Sequence, residues 1–534
     1  MPMKKCCIIL LLAIILPLQA LGTERVFVST DRAAYIAGDR VWFSLFCFDE
    51  AGVLSDRSGV AYLELVSSEG TAAEVKAALF EGRGSGEFII PQGTPSGNYR
   101  LMAYTSLGGA ESASAGSRLM SIYNVFSSAR IKDGVATGIN PEPVFPEDIS
   151  GNLSLRVPAI VKQGGHFTVS IHGTASDISL SVYHDDGLQQ LLPQTIDGFM
   201  NCFPVPTADE GEAEYEGEII HATATGAEEG SIAILSSSGS PDDMYISKVK
   251  ADGSVDFYTG NIYGDRDMVC EIIEGSRDVR IRLNSNFRHP DAGILPPLSL
   301  HTDMFAPLVR RKEALASRVD SISYISFQPR REGRLFAGVE WERYNLDDFT
   351  RFPSVPEVLT EIVVNARIRR YRGKSILEIS IPDGAQVHRP FKDHILTMMD
   401  GVVVSDMDLI TNFDAMLLSE VYVCRQPIVS GNILYNGAVN FVTKNNYVTA
   451  LRFPPQVYVV DFAGARYPAA YTGGYPNDAA DHRELLYWHP SFMFDGQAGI
   501  QLKAPAYTGT FRVVAEGLDA EGKPVRAVSS FEVR

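Results

Sequence analysis

The sequence predicts a mainly β protein of several β-sandwiches in tandem with one helical segment, and three observations support this prediction. Short strand-like runs, such as those in GSGEFIIPQGTPSGNYRLMAYT, are separated by Gly, Pro, Asn and Asp, which is typical of sandwiches. The chain has 534 residues, which exceeds a single core and corresponds to about four or five domains. One segment, PLVRRKEALASRVDSISYI, has apolar residues at helical spacing: Leu308, Leu315, Val319 and Ile322.

The N-terminus, MPMKKCCIILLLAIILPLQALG, has the features of a signal peptide. Two lysines precede a short apolar core, and small residues lie near Gly22. The alternative, a membrane anchor, needs roughly 20 apolar residues, and this stretch is shorter. We therefore predict that residues 1–22 are removed, that the mature chain begins at Thr23, and that the protein is exported.

The remaining chain divides by composition and strand pattern. A polar stretch, GVATGINPEPVFPEDISGN, indicates a linker after the first strand-rich unit, and the strand pattern is interrupted again near the predicted helix. The predicted organisation is a signal peptide (1–22), a first sandwich (23–126), a second sandwich (127–206), a third sandwich (207–290), a helical or irregular linker (291–356), an α+β unit (357–445) and a C-terminal sandwich (446–534).

Composition excludes several classes of function. The net charge of −18 argues against nucleic acid or an anionic membrane surface as a partner, since both favour basic proteins. No apolar run of about 18 residues follows the signal sequence, so no transmembrane helix is expected in the mature chain.

Four cysteines remain after export: Cys47, Cys202, Cys270 and Cys424. No CxxC pair occurs, so a zinc or redox site is not indicated. Export permits disulfides, but the wide spacing does not suggest a disulfide framework. Buried free thiols are the favoured interpretation, and disulfide pairing stays open.

No catalytic motif is present, and we predict no catalytic, cofactor-binding or metal-binding residue. HExxH, G-x-S-x-G and P-loop patterns are absent. His184-Asp185-Asp186 could hold a metal, but a solvated turn is the favoured interpretation, as it is for Asp242-Asp243. Trp488-His489-Pro490 is interpreted as part of a sandwich core or edge. The chain is therefore expected not to be an enzyme.

The first unit resembles the MG2 domain of alpha-2-macroglobulin-like proteins. The residues that carry the resemblance are Thr30-Asp31-Arg32, Tyr35, Gly38-Asp39, Val41 and Phe43, followed by Gly86, Phe88, Pro91 and Gly97-Asn98-Tyr99. Here Gly38-Asp39 is expected to turn the chain and Tyr99 to pack inward. The thioester sequence with which macroglobulins trap proteases does not occur, so trapping chemistry is not expected.

Two further units resemble known sandwiches. The third is similar to the carboxypeptidase regulatory-like sandwiches, a name that implies no peptidase activity. The C-terminal unit, with LLYWHPSF and GTFRVVAEGLDAEGKPV, resembles a macroglobulin-type sandwich. Together with the first unit, they refine the fold class to tandem immunoglobulin-like or macroglobulin-like sandwiches.

The α+β unit resembles the plug domain of TonB-dependent outer-membrane receptors. The matching segments are Ile395 to Met399 before Asp400-Gly401, Met416 to Val423, Tyr435-Asn436-Gly437, and Val439 to Lys444. We expect no receptor barrel, because the 90 residues after Lys444 are fewer than the several hundred that a barrel of about 22 strands needs.

The resemblance implies a partner-binding role for a small set of residues. Thr360 to Ala366 is similar to a TonB box, an extended segment that adds a strand to the sheet of TonB; an ordinary strand start is the favoured alternative. The candidate partner-binding residues are Glu361, Ile362, Val363, Val364, Asp400, Gly401, Tyr435, Asn436 and Gly437.

The leading hypothesis is a non-enzymatic scaffold in a Gram-negative envelope, periplasmic or associated with the outer membrane. Its partners would be envelope proteins: an outer-membrane barrel, a receptor or a TonB-like protein. One alternative is an accessory of TonB-dependent uptake whose plug-like unit engages a separate barrel or TonB. An unrecognised envelope enzyme is the other.

Three structural expectations follow for the plug-like unit. Lacking a barrel wall, it should pack against a flanking sandwich. The strand Val439–Thr443 should be buried, with Val439 and Phe441 on one face and Asn440 and Val442 on the other. Gly401 should have a positive φ in a tight turn.

Overall fold

The computed structural model describes residues 23–108, 117–126, 152–202, 211–239, 243–260, 262–273, 278–316, 324–326, 336, 338–381, 389–391, 394–431, 433–446, 448, 451–472 and 481–534. The predicted signal peptide lies outside these residues. The protein is mainly β and contains several sheets, so the predicted fold class is confirmed. Among the described residues, no helix is long and apolar enough to cross a membrane.

The first sandwich is formed by one continuous part of the chain. Its strands are β1 (Arg25–Thr30), β2 (Ala34–Ile36), β3 (Arg40–Phe48), β4 (Val60–Ser67), β5 (Gly70–Phe80), β6 (Arg83–Ile89), β7 (Gly97–Tyr104) and β8 (Ser117–Tyr123). They pair in the order β1-β3-β6-β5-β4-β7-β8-β2, so that β5 links the two layers of the sandwich.

Most residues of the MG2 resemblance, including Asp31, Tyr35 and Tyr99, are buried in this sandwich. The Tyr35 hydroxyl donates to Asp31 Oδ1 at 2.8 Å, and Asp31 Oδ1 also accepts from Trp42 N at 3.0 Å. Gly38 has φ +90°, and Asp39 Oδ2 accepts from Ile36 N at 3.0 Å, which closes the predicted turn. Tyr99 is 3% exposed within the core, as predicted.

Residues 152–202 contain β9 (Ser154–Arg156), β10 (Ile160–Val161), β11 (His166–Asp185) and α1 (Ile196–Met200). Helix α1 begins after Thr195, whose side chain accepts from Gly198 N. Ile196 and Phe199 of this helix pack against an aromatic group of the first sandwich, formed by Phe27, Phe46 and Phe48. The helix therefore fastens this segment to the first sandwich.

The third sandwich contains β12 (Ile219–Thr225), β13 (Ile232–Ser237), β14 (Met244–Lys248), β15 (Ser254–Tyr258), β16 (Asp265–Ile272) and β17 (Arg280–Leu283). One sheet has the order β15-β12-β17, and the other contains β14-β13-β16. Their facing sides bury Leu235, Phe257 and Met268 in one core.

The predicted helix is present as α2 (Phe305–Ala316), after a 3₁₀ turn (Thr302–Met304) and before β18 (Tyr324–Ser326). Leu308 and Leu315 pack against Ile36 and Tyr123 of the first sandwich, which explains their helical spacing. Val319 and Ile322 lie outside the described residues.

The α+β unit contains β19 (Glu342–Asn345), α3 (Val355–Val358), β20 (Ala366–Tyr371), β21 (Lys374–Ile381), β22 (Arg389–Phe391), β23 (Leu396–Met399), β24 (Val402–Val403), α4 (Met407–Thr411), β25 (Leu418–Cys424), β26 (Ile428–Ser430), β27 (Ile433–Tyr435) and β28 (Ala438–Thr443). Further helical turns are Leu346–Asp348, Leu359–Val363 and Ala415–Leu417. The central sheet has the order β19-β25-β28-β23-β24, and β23 and β28 run parallel. Strand β19 comes from the predicted linker, so the unit begins before residue 357.

The last strands are β29 (Tyr458–Ala463), β30 (Ala465–Arg466), β31 (Ala469–Tyr471), β32 (Leu485–Lys503), β33 (Gly509–Asp519) and β34 (Pro524–Val533). They do not form a separate C-terminal sandwich. Strand β29 pairs with β16 of the third sandwich, and β30 pairs with β5 of the first. Strands β32 and β33 pair with the two edges of β11.

The predicted division into a second sandwich (127–206) and a C-terminal sandwich (446–534) is therefore wrong. Strand β11 lies between β32 and β33, with Val169 opposite Ile500 and Val182 opposite Val513. Neither segment alone satisfies the backbone groups of its strands or covers its apolar side chains. The two segments form one sandwich, called the second sandwich below.

The cysteines agree with the prediction in three of four cases. Cys47, Cys270 and Cys424 are buried free thiols, whereas Cys202 is a free thiol that is exposed. Burial raises the pKa of the Cys270 thiol, so this group is held in its unreactive protonated form.

Candidate partner-binding site on the α+β unit

The Asp400-Gly401 candidates form a tight hairpin turn, as predicted. Asp400 has φ +51° and Gly401 has φ +86°, between the paired residues Met399 and Val402. Both oxygens of the Asp400 carboxylate accept from Thr443, from the backbone N and from Oγ1, each at 2.7 Å. Burial raises the pKa of this carboxyl, and the hydrogen bonds from Thr443 oppose the rise. The turn is buried and ties β23 to the end of β28.

The Tyr435-Asn436-Gly437 candidates position the start of β28. Tyr435 is 6% exposed, and Asn436 N donates to His394 O at 2.9 Å. Gly437 has φ +147°, and a Cβ there would lie 2.8 Å from Cys424 O. This close approach of two strands explains the glycine, and it leaves little of the motif at the surface.

The segment similar to a TonB box is helical, not extended. Helix α3 starts at a capping box, in which Ser354 Oγ accepts from Glu357 N and the Glu357 carboxylate accepts from Ser354 N. The helical turn Leu359–Val363 continues it, and Val364, with φ +47°, ends it. Strand β20 begins only at Ala366, so the alternative of an ordinary strand start is wrong as well.

Only part of this segment is accessible. Ile362 and Val363 are buried in the core of the unit, whereas Glu361 and Val364 are exposed. Two sequence signals indicate the helix: the S-x-x-E capping box at Ser354 and the apolar spacing from Val355 through Val363. Both stand in the sequence and favour a helix over an extended segment.

Strand β28 is arranged as the alternating pattern predicts. Val439 and Phe441 face the core that contains the α3 residues, and Asn440 faces the other way, where its Oδ1 accepts from Gly401 N at 3.1 Å. Val442 is half-buried, and the strand is otherwise buried. The prediction for Val439–Thr443 is confirmed.

The α+β unit packs against the third sandwich, as predicted for a unit without a barrel wall. Met398, Val403 and Tyr435 share a core with Ile234 and Met244.

Polar contacts at this joint fix the position of the α+β unit relative to the third sandwich. Val403 N donates to Ser236 Oγ at 3.1 Å, and Gly239 N donates to Asp400 O at 2.7 Å. Ser405 Oγ donates to Glu271 Oε2 at 2.6 Å. Burial raises the pKa of Glu271 to about 7, against the lowering effect of Ser405. The unit is therefore held as a fixed part of the molecule.

Among the described residues of the α+β unit we consider two exposed surfaces, and the first is apolar. Strands β26 and β27 form a two-stranded ribbon in which Val429 lies opposite Leu434. These side chains are 72% and 56% exposed. Within the described part of the chain, neither strand pairs with a third strand, so the ribbon presents open backbone edges beside an apolar face.

The second exposed surface is basic, although the chain as a whole has a negative net charge. The hairpin β20–β21 exposes Arg367, Arg369, Arg370, Arg372 and Lys374. Glu378 Oε2 accepts from Arg367 Nε at 2.8 Å and forms an ion pair with Arg369 Nε at 3.2 Å. The sequence RIRRYRGK shows this local concentration of charge, which the net charge of the whole chain does not.

The His184 region is a buried ionic group and not a solvated turn. His184 Nδ1 lies 2.8 Å from Glu484 Oε2, and Arg311 Nε lies 2.5 Å from Asp186 Oδ2. Burial raises the pKa of the Glu484 carboxyl. The hydrogen bond from His184 and the charge of Arg311 have the opposite, larger effect and lower this pKa to about 2. The group joins α2 to the second sandwich.

Two other sequence interpretations have clear outcomes. Asp243 is 6% exposed and pairs with Arg266 at 2.7 Å, so a solvated turn is wrong there, and Asp242 lies outside the described residues. Trp488 is 1% exposed and packs with Trp42 of the first sandwich, which confirms a core position.

Comparison with known proteins gives a distant structural likeness. No family model matches the chain, and no curated protein matches it. The structural neighbours include bacterial alpha-2-macroglobulin chains. The trypsin-activated protein from Escherichia coli is 9% identical, with a TM-score of 0.23 over 96% of this chain and 41% of that chain. The Salmonella protein reacted with methylamine is 10% identical, with a TM-score of 0.24 over 96% and 40%.

An adhesin, InvE of Yersinia pseudotuberculosis, is 11% identical with a TM-score of 0.14, over 49% of this chain and 57% of that chain. The chain spans about two fifths of the length of the alpha-2-macroglobulin chains that it matches. At these scores the likeness supports no argument about function. It gives no support to the plug-like resemblance, which stays a prediction.

Proposed function

We propose that this protein is a non-enzymatic binding scaffold of the Gram-negative cell envelope, exported to the periplasm or the periplasmic side of the outer membrane. The observation that carries the proposal is the apolar ribbon β26–β27. Its exposed pair, Val429 and Leu434, stands on a unit that the third sandwich holds rigidly. The proposed partner is another envelope protein.

The proposed mode of binding is strand addition. An extended segment of the partner would pair with an open edge of the ribbon, and its apolar side chains would cover Val429 and Leu434. The binding energy would come from backbone hydrogen bonds and from apolar area removed from water, at about 25 cal/mol per Å². No step of this mechanism needs a cofactor or a catalytic residue.

The alternative role in TonB-dependent uptake is less well supported. It needs an extended segment that can add to the sheet of TonB, and Glu361 to Val364 are part of a helical turn and its end, with two of the four side chains buried. The candidate residues Asp400, Gly401, Tyr435 and Gly437 are buried too. Their packing supports a positioning role for the motif.

The test is co-purification from detergent-solubilised envelope. The double variant Val429→Glu and Leu434→Glu should lose a protein that the unchanged chain captures, since it places two charges on the proposed contact. Ile294→Glu is the matched control, because Ile294 is 96% exposed and lies outside the α+β unit. Capture that survives the double variant would contradict the proposal.

A deletion of residues 357–444 is a coarser test of the same idea. It should abolish capture and leave the first sandwich folded. Because the deletion also uncovers Ile234 and Met244 of the third sandwich, the surface variants are the cleaner experiment. Loss of capture in the deletion alone would indicate that a neighbouring surface binds the partner.

A further inference from the structure

A histidine and two glutamates converge where the chain leaves the third sandwich and crosses the first. Glu64 on β4 and Glu74 on β5 are direct cross-strand partners, so both side chains project from the same face of the sheet. His289 lies in the irregular segment after β17 and faces them. The donor atoms of the three residues lie within 4.8 Å of one another.

The two distances from His289 are longer than a typical hydrogen bond and close to the separation of two ligands of one zinc ion. His289 Nδ1 lies 3.2 Å from Glu64 Oε2 and 3.4 Å from Glu74 Oε1. An N–H···O hydrogen bond is typically about 2.9–3.0 Å long, and a single Nδ1 proton cannot point at two oxygens. Ligands that bond one tetrahedral zinc at about 2.0–2.2 Å lie about 3.3–3.6 Å apart.

The inner glutamate is held in place by its neighbours. Glu64 Oε1 accepts from the Tyr104 hydroxyl at 2.5 Å and from the backbone N of Arg288 and of His289 at 3.1 and 3.0 Å. Thr71 Oγ1 donates to Glu64 Oε2 at 3.1 Å. Such supporting bonds orient the ligands of protein metal sites, and here they leave Oε2 directed at the imidazole.

The charge and the exposure of the group also suit a cation. Two carboxylates meet one imidazole, and the guanidinium of the adjacent Arg288 is directed to Ser106 O, at 2.8 Å. Glu64 is fully buried, whereas the side chains of Glu74 and His289 are 38% and 56% exposed. A metal ion could therefore enter from solvent and keep water at a remaining coordination position.

The buried group around His184 differs from the His289 group in its spacing and in its charge. There the imidazole lies at hydrogen-bond distance, 2.8 Å from Glu484. Arg310 and Arg311 lie against the carboxylates, at 3.4 and 2.5 Å, and already supply positive charge. In the His184 group, arginines and a hydrogen bond therefore already hold the carboxylates, whereas His289 Nδ1 lies 3.2 and 3.4 Å from two carboxylates.

We propose that Glu64, Glu74 and His289 bind one zinc ion per chain. The ion would connect β4 and β5 of the first sandwich to the irregular segment of residues 284–300. This segment already lies along the sandwich, where Arg100 Nε donates to Ala292 O and Asn98 Nδ2 to Pro296 O, both at 2.9 Å. Zinc would lock the first and third sandwiches in one arrangement, whatever partner the ribbon binds.

The test is titration calorimetry of the full chain with Zn²⁺ after treatment with a chelator. We expect one site per chain, and a loss of affinity of at least about tenfold in Glu74→Gln and in His289→Gln. Zinc should also raise the unfolding midpoint of the unchanged chain and not that of the variants, since an ion that binds the folded state stabilises it. Circular dichroism should show that both variants fold.

Two variants serve as controls. His221→Gln removes a part-exposed histidine that pairs with Asp256, and Glu484→Gln alters the buried group around His184. Both should keep the site. Zinc binding that is equally lost in the controls, or unchanged in Glu74→Gln and His289→Gln, would overturn the proposal. No binding at all would show that His289 and Glu64 form an ion pair only.

Discussion

The first and second sandwiches are built from similar strands but by opposite routes along the chain. The first uses one continuous part of the sequence, from β1 to β8. In the second, β11 lies between β32 and β33, and Val182 is opposite Val513. Both have apolar cores, with Tyr99 in one and Phe511 in the other. The comparison shows that similar sandwich cores can form from one continuous segment of the chain or from two segments that lie far apart in the sequence.

This difference decides how each sandwich depends on the rest of the chain. The first closes its central core with its own residues, and later segments cover its outer faces, as α1 does at Phe27 and β30 does at β5. The second has no complete core until the last strand is made. The first can therefore fold early and alone, whereas the second must wait for contacts of long sequence separation.

The largest expected effect comes from separating the two halves of the second sandwich. Residues 24–126 alone should show one cooperative β-type unfolding transition, since about 100 residues suffice for a core. Residues 152–202 alone should show none, because β11 lacks both neighbours. Urea unfolding followed by circular dichroism measures both.

A fusion of 152–202 to 481–534 through a flexible linker is the matching control. It should regain a cooperative transition, because it restores both partners of β11. A cooperative transition in 152–202 by itself would contradict the assignment of one shared sandwich.

The elements that could be predicted from sequence depend on short-range chemistry. The segment from Thr30 to Asp39, which resembles part of an MG2 domain, is predictable because its hydrogen bonds join residues close in sequence, as between Tyr35 and Asp31. The Asp400-Gly401 turn is predictable because a tight hairpin needs positive φ. In both cases the local backbone geometry requires particular residue types, and those residue types can be recognised in the sequence.

The elements that could not be predicted depend on partners far along the chain. The alternating pattern of GTFRVVAEGL identifies a strand, but no local feature identifies β11 as its neighbour. The His289 group likewise joins residues from two sandwiches. At the candidate site, the turn motifs were located correctly, but their burial could not be foreseen, because the third sandwich covers them.

The second largest effect should come from the core of the first sandwich. Tyr99→Ala in residues 24–126 should lower the free energy of unfolding by about 3–5 kcal/mol, because it leaves a cavity in the core. Tyr99→Phe should cost only about 0.5–1.5 kcal/mol, since it removes the hydroxyl that donates to Pro95 O at 2.9 Å. Urea unfolding of both variants separates packing from hydrogen bonding. A cost below about 1 kcal/mol for the alanine variant would refute a core position.

The joint between the third sandwich and the α+β unit is another contact between segments that are distant in the sequence. It contains a carboxyl group, that of Glu271, whose protonation depends on pH. Burial raises the pKa of Glu271 from 4.5 to about 7, so the folded state holds a proton that the unfolded state has released at intermediate pH. Its contribution is fully present below about pH 4.5, is lost as the pH rises toward 7, and is absent above that.

Glu271→Gln should remove this pH dependence, because the amide resembles the protonated acid. We expect the variant to be more stable than the unchanged chain above pH 7, by an amount on the order of 1–3 kcal/mol. Urea unfolding between pH 4.5 and 8 measures the effect, and Glu340→Gln, at an exposed position, should leave the profile unchanged. A parallel pH dependence in Glu271→Gln and the unchanged chain would contradict the assignment.

The smallest expected effect is at the contact between the first and second sandwiches. Arg83 donates to both carboxylate oxygens of Asp177, at 2.7 and 2.9 Å, and the pair is partly exposed, at 15% and 27%. A two-pronged pair of this kind is stronger than a single surface contact, but solvent screens it. A double-mutant cycle with Arg83→Gln and Asp177→Asn should give a coupling energy of about 1 kcal/mol.

The size of this coupling matters because each sandwich can be tested with and without the other. In residues 24–126 alone, Arg83→Gln should cost less than in the full chain, since Asp177 is absent. The cost does not vanish, because Arg83 also donates to Leu45 O at 3.0 Å and lies over the Phe46 ring. An equal cost in both contexts would show that Arg83 serves the first sandwich alone, and that the two sandwiches are joined mainly by apolar packing, as at α1 and between Trp42 and Trp488.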